Sequence, residues 1–454
     1  MIQSRFGRRV VETGARELVV IPDEVPAQIV SFANRTETKE RIRALLMPRI
    51  DPAVAAGMSR YDLREEVRKL VGEIATSQRV HLNELEEDVL ATELTDDMIG
   101  LGPLEPFLED DNITDILVNG PYDVFVERDG ILRKTDARFR DAQHVVNVAQ
   151  RIASAVGRRI DEASPMVDAR LADGSRVNIV LPPLVLNGGC ISIRKFSRQS
   201  ISLEMMVRQH NLSAEMARFL EIAARARFNM LISGGTGSGK TTLLNAISRG
   251  IDPTQRIITI EDAVELRLQQ PHVVQMETRA ANIEGVGSVP QRELVRNALR
   301  MRPDRIIVGE VRGGEAFDML QAMNTGHDGS MSTIHANSPR DALYRFENMV
   351  MMANVNLPLR AIRTQITSAL NLIVQIERMR DGVRRIQNIV EITGMEGEVI
   401  TARDLFTFEY RGDSRDGRIE GVFEPSRVRP SLIARANEFG LGGEMLQTLD
   451  LPGD

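Results

Sequence analysis

The spacing of apolar residues changes character along the chain. From about residue 36 to 100 it is helical: Ile42, Leu45 and Leu46 form one stripe, ended by Pro48. Leu63, Val67, Leu70, Val71 and Ile74 form a second, and Leu82, Leu85 and Val89 a third. Three short amphipathic helices with polar outer faces predict a small bundle that serves packing. Gly100-Leu-Gly-Pro103 breaks the pattern, and the period then shortens. Residues 113–118 read as a strand that stops at Asn119-Gly120-Pro121. Val124-Phe125-Val126 and Ile131-Leu132 flank Asp129-Gly130, a hairpin signal. A helix follows through Val145, Val148, Ala149, Ile152 and Val156, then strands around a second turn at Asp173-Gly174. From about 202 to 400, helical and strand runs alternate, as a parallel sheet with crossover helices requires. The expected organisation is a flexible arm over 1–35, a helical bundle over 36–100, an α+β domain over 101–200 and an α/β domain with a C-terminal tail over 201–454. The tail, with Gly412, Gly417, Gly421, Pro425 and Pro430, carries no readable period.

One segment carries chemistry outright. Residues 234–241 read Gly-Gly-Thr-Gly-Ser-Gly-Lys-Thr, preceded by a strand-like run (Phe228, Met230, Leu231, Ile232) and followed by a helix-like one (Leu243, Leu244, Ala246, Ile247). This is the context of a phosphate-binding loop. Gly234, Gly235, Gly237 and Gly239 let the backbone curl, so that N–H groups from Thr236, Ser238 and their neighbours point inward at phosphate oxygens. A helix starting near Lys240 adds its positive end, with Thr242 in its first turn. Lys240 supplies a point charge for the β- and γ-phosphates, and Thr241 a hydroxyl for Mg²⁺. Lys39, Lys69, Lys134, Lys195 and Lys240 are the only lysines among 57 basic residues, so a lysine at this position is unlike chance usage. A nucleotide triphosphate is the expected ligand.

Hydrolysis needs a metal partner and a group that orients water. Residues 257–260 run into Glu261 and Asp262, with Glu265 close behind; residues 305–309 run into Glu310. Carboxylates that end parallel strands face the ligand crevice of an open α/β sheet, whereas a single such residue would more commonly just meet solvent. Thr325-Gly-His327-Asp-Gly-Ser-Met-Ser-Thr-Ile-His335-Ala-Asn337 then brings two of the six histidines together. Their spacing is not the four-residue step that would put two metal ligands on one helix face, so a polar loop sensing the γ-phosphate is the better reading than zinc.

Composition narrows the class. At 454 residues the chain has room for about three domains. A net charge of −7 and 4% aromatics without tryptophan are poor material for binding nucleic acid or stacking bases. Cys190 alone excludes an intrachain disulfide and a four-cysteine zinc site. No apolar run approaches the ~20 residues of a membrane-spanning helix. The expectation is a cytoplasmic protein that reaches a membrane only through partners. No lysine follows an asparagine, so the Asn-Lys-x-Asp run of guanine-reading GTPases is absent. A translocase on the same core remains the rival that fold cannot separate.

Taken together, residues 234–241, 259–265, 305–313 and 325–337 resemble the Walker A, Asp, Walker B and His boxes of the secretion ATPase superfamily of type II and type IV secretion and type IV pili. Leu299-Arg-Met-Arg-Pro-Asp304, Val308-Gly-Glu-Val-Arg-Gly313 and the helical segment ahead of the α+β domain resemble its CpaF/TadA branch, the motor of tight-adherence (Flp) pili. A type IV secretion ATPase is the nearest alternative. The resemblance implies a RecA-like ATPase core preceded by an α+β, PAS-like domain and a helical bundle. It implies a homo-hexamer that hydrolyses ATP with Mg²⁺ and drives inner-membrane platform proteins, without nucleic acid. By position, Lys240 and Thr241 would hold phosphate and Mg²⁺. Glu261, Asp262, Glu265 and Glu310 would share water activation and metal organisation, Glu310 touching Mg²⁺ through water. His335, and with it His327, would couple the phosphate to neighbouring parts. The family's N-terminal arginines map onto Arg176 and Arg194.

Overall fold

The computed structural model describes residues 36–128, 130–196, 201–279, 286–353, 356–415 and 417–452; the expected arm over 1–35 lies outside them. The chain forms two compact units that part between Lys195 and Phe196. Among the described residues no helix is long and apolar enough to cross a membrane.

The first unit opens with helices. α1 (Thr36–Leu46) runs into a 3-10 turn (Met47–Arg49) that contains Pro48, and α2 (Pro52–Gly57) follows. α3 (Arg60–Ser77) starts where the Ser59 hydroxyl accepts the Asp62 N–H, and it buries Leu63, Val67, Val71 and Ile74. α4 (Glu84–Ile99) starts at a reciprocal capping box between Asn83 and Glu86. Its buried face corrects the expected one. Leu85 and Val89 stay exposed, whereas Leu90, Ala91 and Leu94 pack against Ile42, Leu46 and the α3 stripe. Leu82 precedes the helix, so it sets no helical phase. One position along a helix turns the face by about 100°.

The same unit holds a six-stranded antiparallel sheet, ordered β3 (Ile131–Lys134), β2 (Val124–Arg128), β1 (Ile113–Asn119), β6 (Cys190–Arg194), β5 (Arg176–Val180), β4 (Met166–Arg170). β2 and β3 pair from Arg128 opposite Ile131, and β4 and β5 from Arg170 opposite Arg176. In the second turn, Asp173 accepts the N–H and hydroxyl of Ser175, and Gly174 takes φ +92°. A helix over Ala142–Ala155 lays Val145, Val148, Ala149 and Ile152 against the sheet core. Asp97 of α4 joins bundle and sheet domain: it pairs with Arg43 of α1, His144 Nε2 lies 3.4 Å from its carboxylate, and Arg151 donates to its carbonyl at 2.7 Å.

The second unit is built on a nine-stranded sheet. Its order is β15, β14, β13, β12, β7, β11, β10, β8, β9. β7 (Met230–Ser233), β8 (Ile257–Glu261), β10 (Arg305–Val308) and β11 (Met331–Ile334) are buried along their whole length. That is the pattern of parallel strands covered on both faces, and two apolar cores flank them. The parallel part also takes in β9 (Val273–Glu277) and β12 (Leu372–Arg378). There the expected alternation ends. β13 (Arg384–Glu396), β14 (Val399–Asp413) and β15 (Ile419–Pro425) form an antiparallel meander. The five residues between β12 and β13 are too few for a crossover, which needs a dozen or more, so the strand must turn back.

Candidate functional site

β7 ends at Ser233, and the chain turns through residues 234–239 into a helix over Lys240–Ser248. Gly237 and Gly239 take φ +71° and +96°. A Cβ on Gly234 would lie 2.3 Å from the Ile376 carbonyl of β12, so that position admits no side chain. The Ser238 hydroxyl donates to the Gly235 carbonyl at 2.9 Å. Lys240 is buried, and its ammonium donates to the Gly234 and Gly235 carbonyls at 3.1 and 2.9 Å, inside the curl of the loop. Thr241 and Thr242 are half-buried in the first helical turn. A residue without any local signal also braces the loop. Arg384, at the start of β13, donates through Nε to the Gly237 carbonyl at 3.0 Å.

Parallel register brings the other boxes to the same edge of the sheet. Ile334 pairs with Ser233, and Val308 pairs with Ile260 and Ser332. Glu261 therefore ends β8, and Glu310 and His335 follow the ends of β10 and β11, beside the loop. His335 Nδ1 lies 3.3 Å from Lys240 Nζ, and its Nε2 lies 3.1 Å from Glu310 Oε1. Lysine has only donors and an ionised glutamate only acceptors, which assigns the imidazole: Nδ1 accepts, and Nε2–H donates. The other Glu310 oxygen meets Arg312 at 3.0 Å, and Arg312 reaches Asp262 at 2.9 Å. A continuous polar chain thus runs Lys240–His335–Glu310–Arg312–Asp262. Burial, then the charge of Lys240, pushes the His335 pKa below its ordinary 6.5 against the pull of Glu310, so the ring is neutral at neutral pH. Glu265 is half-buried within electrostatic reach of Arg312.

Glu261 sits apart from this chain in kind. It is buried, and its carboxylate accepts the N–H groups of Glu265 at 2.8 Å and Leu266 at 3.1 Å. Its Cγ leaves 2.7 Å to a Cβ at Gly309. These contacts shape the 262–268 loop. His327 is not brought to the site: its Nδ1 lies 3.2 Å from the Ala322 carbonyl, before β11 begins, while His335 follows the other end of that strand. Arg176 and Arg194 stand opposite one another on β5 and β6 of the first unit, with Asp115 of β1 next in the row.

Across residues 97–415 the sequence matches the family described as type II/IV secretion system protein. The chain belongs to this family. It is an ATP-hydrolysing secretion ATPase, with a RecA-like core in its second unit. It is 41% identical over 317 residues to a Mycobacterium tuberculosis protein provisionally named for conjugal transfer, covering 68% of this chain and 88% of that one. It is 33% identical to the type IV secretion system protein VirB11 of Bartonella henselae, over 66% of this chain and 93% of the relative. The crystal structure of the VirB11 ATPase from the Brucella suis type IV secretion system, in complex with sulphate, is 30% identical over 63% of this chain and 91% of that chain, with a TM-score of 0.34.

Among the site residues, Thr241, Glu310 and Asp262 offer hydroxyl and carboxylate oxygens, the hard donors that magnesium takes together with phosphate. Both carboxylates already pair with the one Arg312 guanidinium, so Mg²⁺ contact through water fits them better than direct ligation.

Proposed function

We propose that this secretion ATPase is the hexameric motor of a tight-adherence (Flp) pilus, working on inner-membrane platform proteins. The reading rests on the segments at 299–304 and 308–313 and on the helical segment ahead of the α+β domain. The observation that carries its mechanism is the polar chain from Lys240 to Asp262. A γ-phosphate at the loop draws the Lys240 ammonium away from the Gly234 and Gly235 carbonyls. His335 shares that ammonium, so the pull reaches Glu310 and, through Arg312, Asp262. Phosphate state and the set of the two strand-end loops then vary together. In this assignment Thr241, Glu310 and Asp262 would hold Mg²⁺, which would offset charge on the phosphates. Glu265 and Glu310 are the groups that orient the attacking water, Glu261 positions the Glu265 loop, and Arg176 and Arg194 serve the γ-phosphate.

The identity to VirB11 favours a second reading, a type IV secretion traffic ATPase. Deleting the gene in its host and restoring it in wild-type or Lys240→Ala form separates the two. Surface pili lost on deletion and regained only with the wild-type gene support the pilus motor. Intact pili with lost export of protein or DNA support the second reading.

A further inference from the structure

Beside the tip of the phosphate loop the second unit holds a cavity of about 410 Å³, lined by Thr236, Glu310, Arg312, His335, Arg345 and Met349. At roughly 30 Å³ per water, it holds far more than one attacking water. Arg345 and Met349 come from the helix over Pro339–Met352 and lie four residues apart, on one face. Met349 is buried and makes an apolar wall. The two arginines of the cavity differ. Arg312 is committed to Glu310 and Asp262, whereas among the described residues no hydrogen bond or ion pair engages the Arg345 guanidinium. Arg345 nonetheless acts on the site, because its charge is among those that hold the His335 pKa down.

Of the phosphate loop only Thr236 enters the cavity lining, whereas Lys240 sits inside the curl of the loop on the Gly234 and Gly235 carbonyls. We propose that this cavity is the station of the product orthophosphate, with Arg345 as its principal ligand, between cleavage and release. The inference rests on the assignment of the loop as the ATP site. A guanidinium offers two parallel N–H donors to an oxyanion, and one that is not already paired with a carboxylate can give both. His335 and Arg312 line the same cavity, so an orthophosphate held there meets the same groups that Glu310 engages. Phosphate release, and not cleavage alone, then returns the polar chain to its starting partners. Arg345 is in this account a ligand of the product and has no part in water activation.

The test is a calorimetric titration of inorganic phosphate onto the full chain saturated with ADP and magnesium. Arg345→Gln should weaken phosphate binding about tenfold or more, the loss expected for a hydrogen bond to a charged group, while ADP affinity stays within about twofold. Arg345→Lys, which keeps the charge without the fork, should lose less. Phosphate binding equal to wild type in Arg345→Gln overturns the proposal. So does an equal loss of ADP affinity, which would mark a general collapse of the site. Loss of the assembled state in light scattering also overturns it, and makes Arg345 a contact to a second copy of this chain. Hydrolysis by Lys240→Ala would instead refute the loop assignment, whatever the phosphate titration gives.

Discussion

His335 joins the phosphate loop to the carboxylates, and its titration makes that role measurable. Its pKa lies below 6.5 in the folded chain, so the unfolded chain takes up the proton first as pH falls. The group therefore favours the fold above 6.5 and loses that contribution as pH drops through its folded value. Turnover should hold through neutral pH and fall on the acid side as Nδ1 becomes unable to accept from Lys240. His335→Ala should lower turnover about a hundredfold and lack that acid limb in a pH–rate profile; an identical limb in the variant contradicts the role. Arg176 and Arg194 carry a second prediction. Each alanine variant should keep nucleotide affinity but lose on the order of a thousandfold in turnover, as arginine ligands of a γ-phosphate do. Affinity and steady-state hydrolysis measured side by side decide it, and near-wild-type turnover in both variants removes the assignment. At this scale the glycines and Lys240 were legible because the loop's chemistry is local. The division between Glu261 and Glu310 was not, since backbone N–H groups claim one and side chains the other only in three dimensions. Strand direction alone separates His335 from His327. Arg384 meets Gly237 from 147 residues away, and nothing near either residue signals the contact.

Among the elements, those whose boundaries are set by local chemistry were readable: the hairpin after Arg128, the turn at Asp173-Gly174 and the loop-to-helix junction at Lys240. The face of α4 was not, because packing partners from α1 and α3 fix its rotation and exposed Leu85 and Val89 mimic a stripe. The meander after β12 was missed for a related reason. Its strands carry polar residues on exposed faces, as antiparallel strands can. α4 also holds Asp96, nearly enclosed and bonded to Arg60 at 2.6 Å. Burial outweighs that arginine and raises the Asp96 pKa from 3.8 to about 6. The protonated form favours the fold below the unfolded value, and that contribution is lost as pH rises through about 6. Asp96→Asn should therefore melt higher than wild type at about pH 7.5, and the difference should vanish only near pH 3, below the unfolded value, where Asp96 is protonated in folded and unfolded chain alike. Melting curves at the two pH values check this, and a variant that melts lower at the higher pH shows that the ion pair prevails over burial.

For the whole molecule, the alternation of strand and helix sufficed to indicate an α/β core, because that class follows from pattern alone, and the phosphate loop at 234–241 added the nucleotide. The number of strands and the parallel-to-antiparallel switch depend on connection lengths that no periodicity records. In the proposed mechanism one phosphate loop, reporting through His335 to the strand-end carboxylates, runs the ATPase. Steady-state ATP hydrolysis by the purified full chain, wild type beside Lys240→Ala, tests it most directly. Removing the ammonium leaves the β/γ charge uncompensated, so turnover should fall by about a hundredfold or more while circular dichroism shows the fold retained. Hydrolysis by the folded variant at the wild-type rate would contradict the assignment of the site.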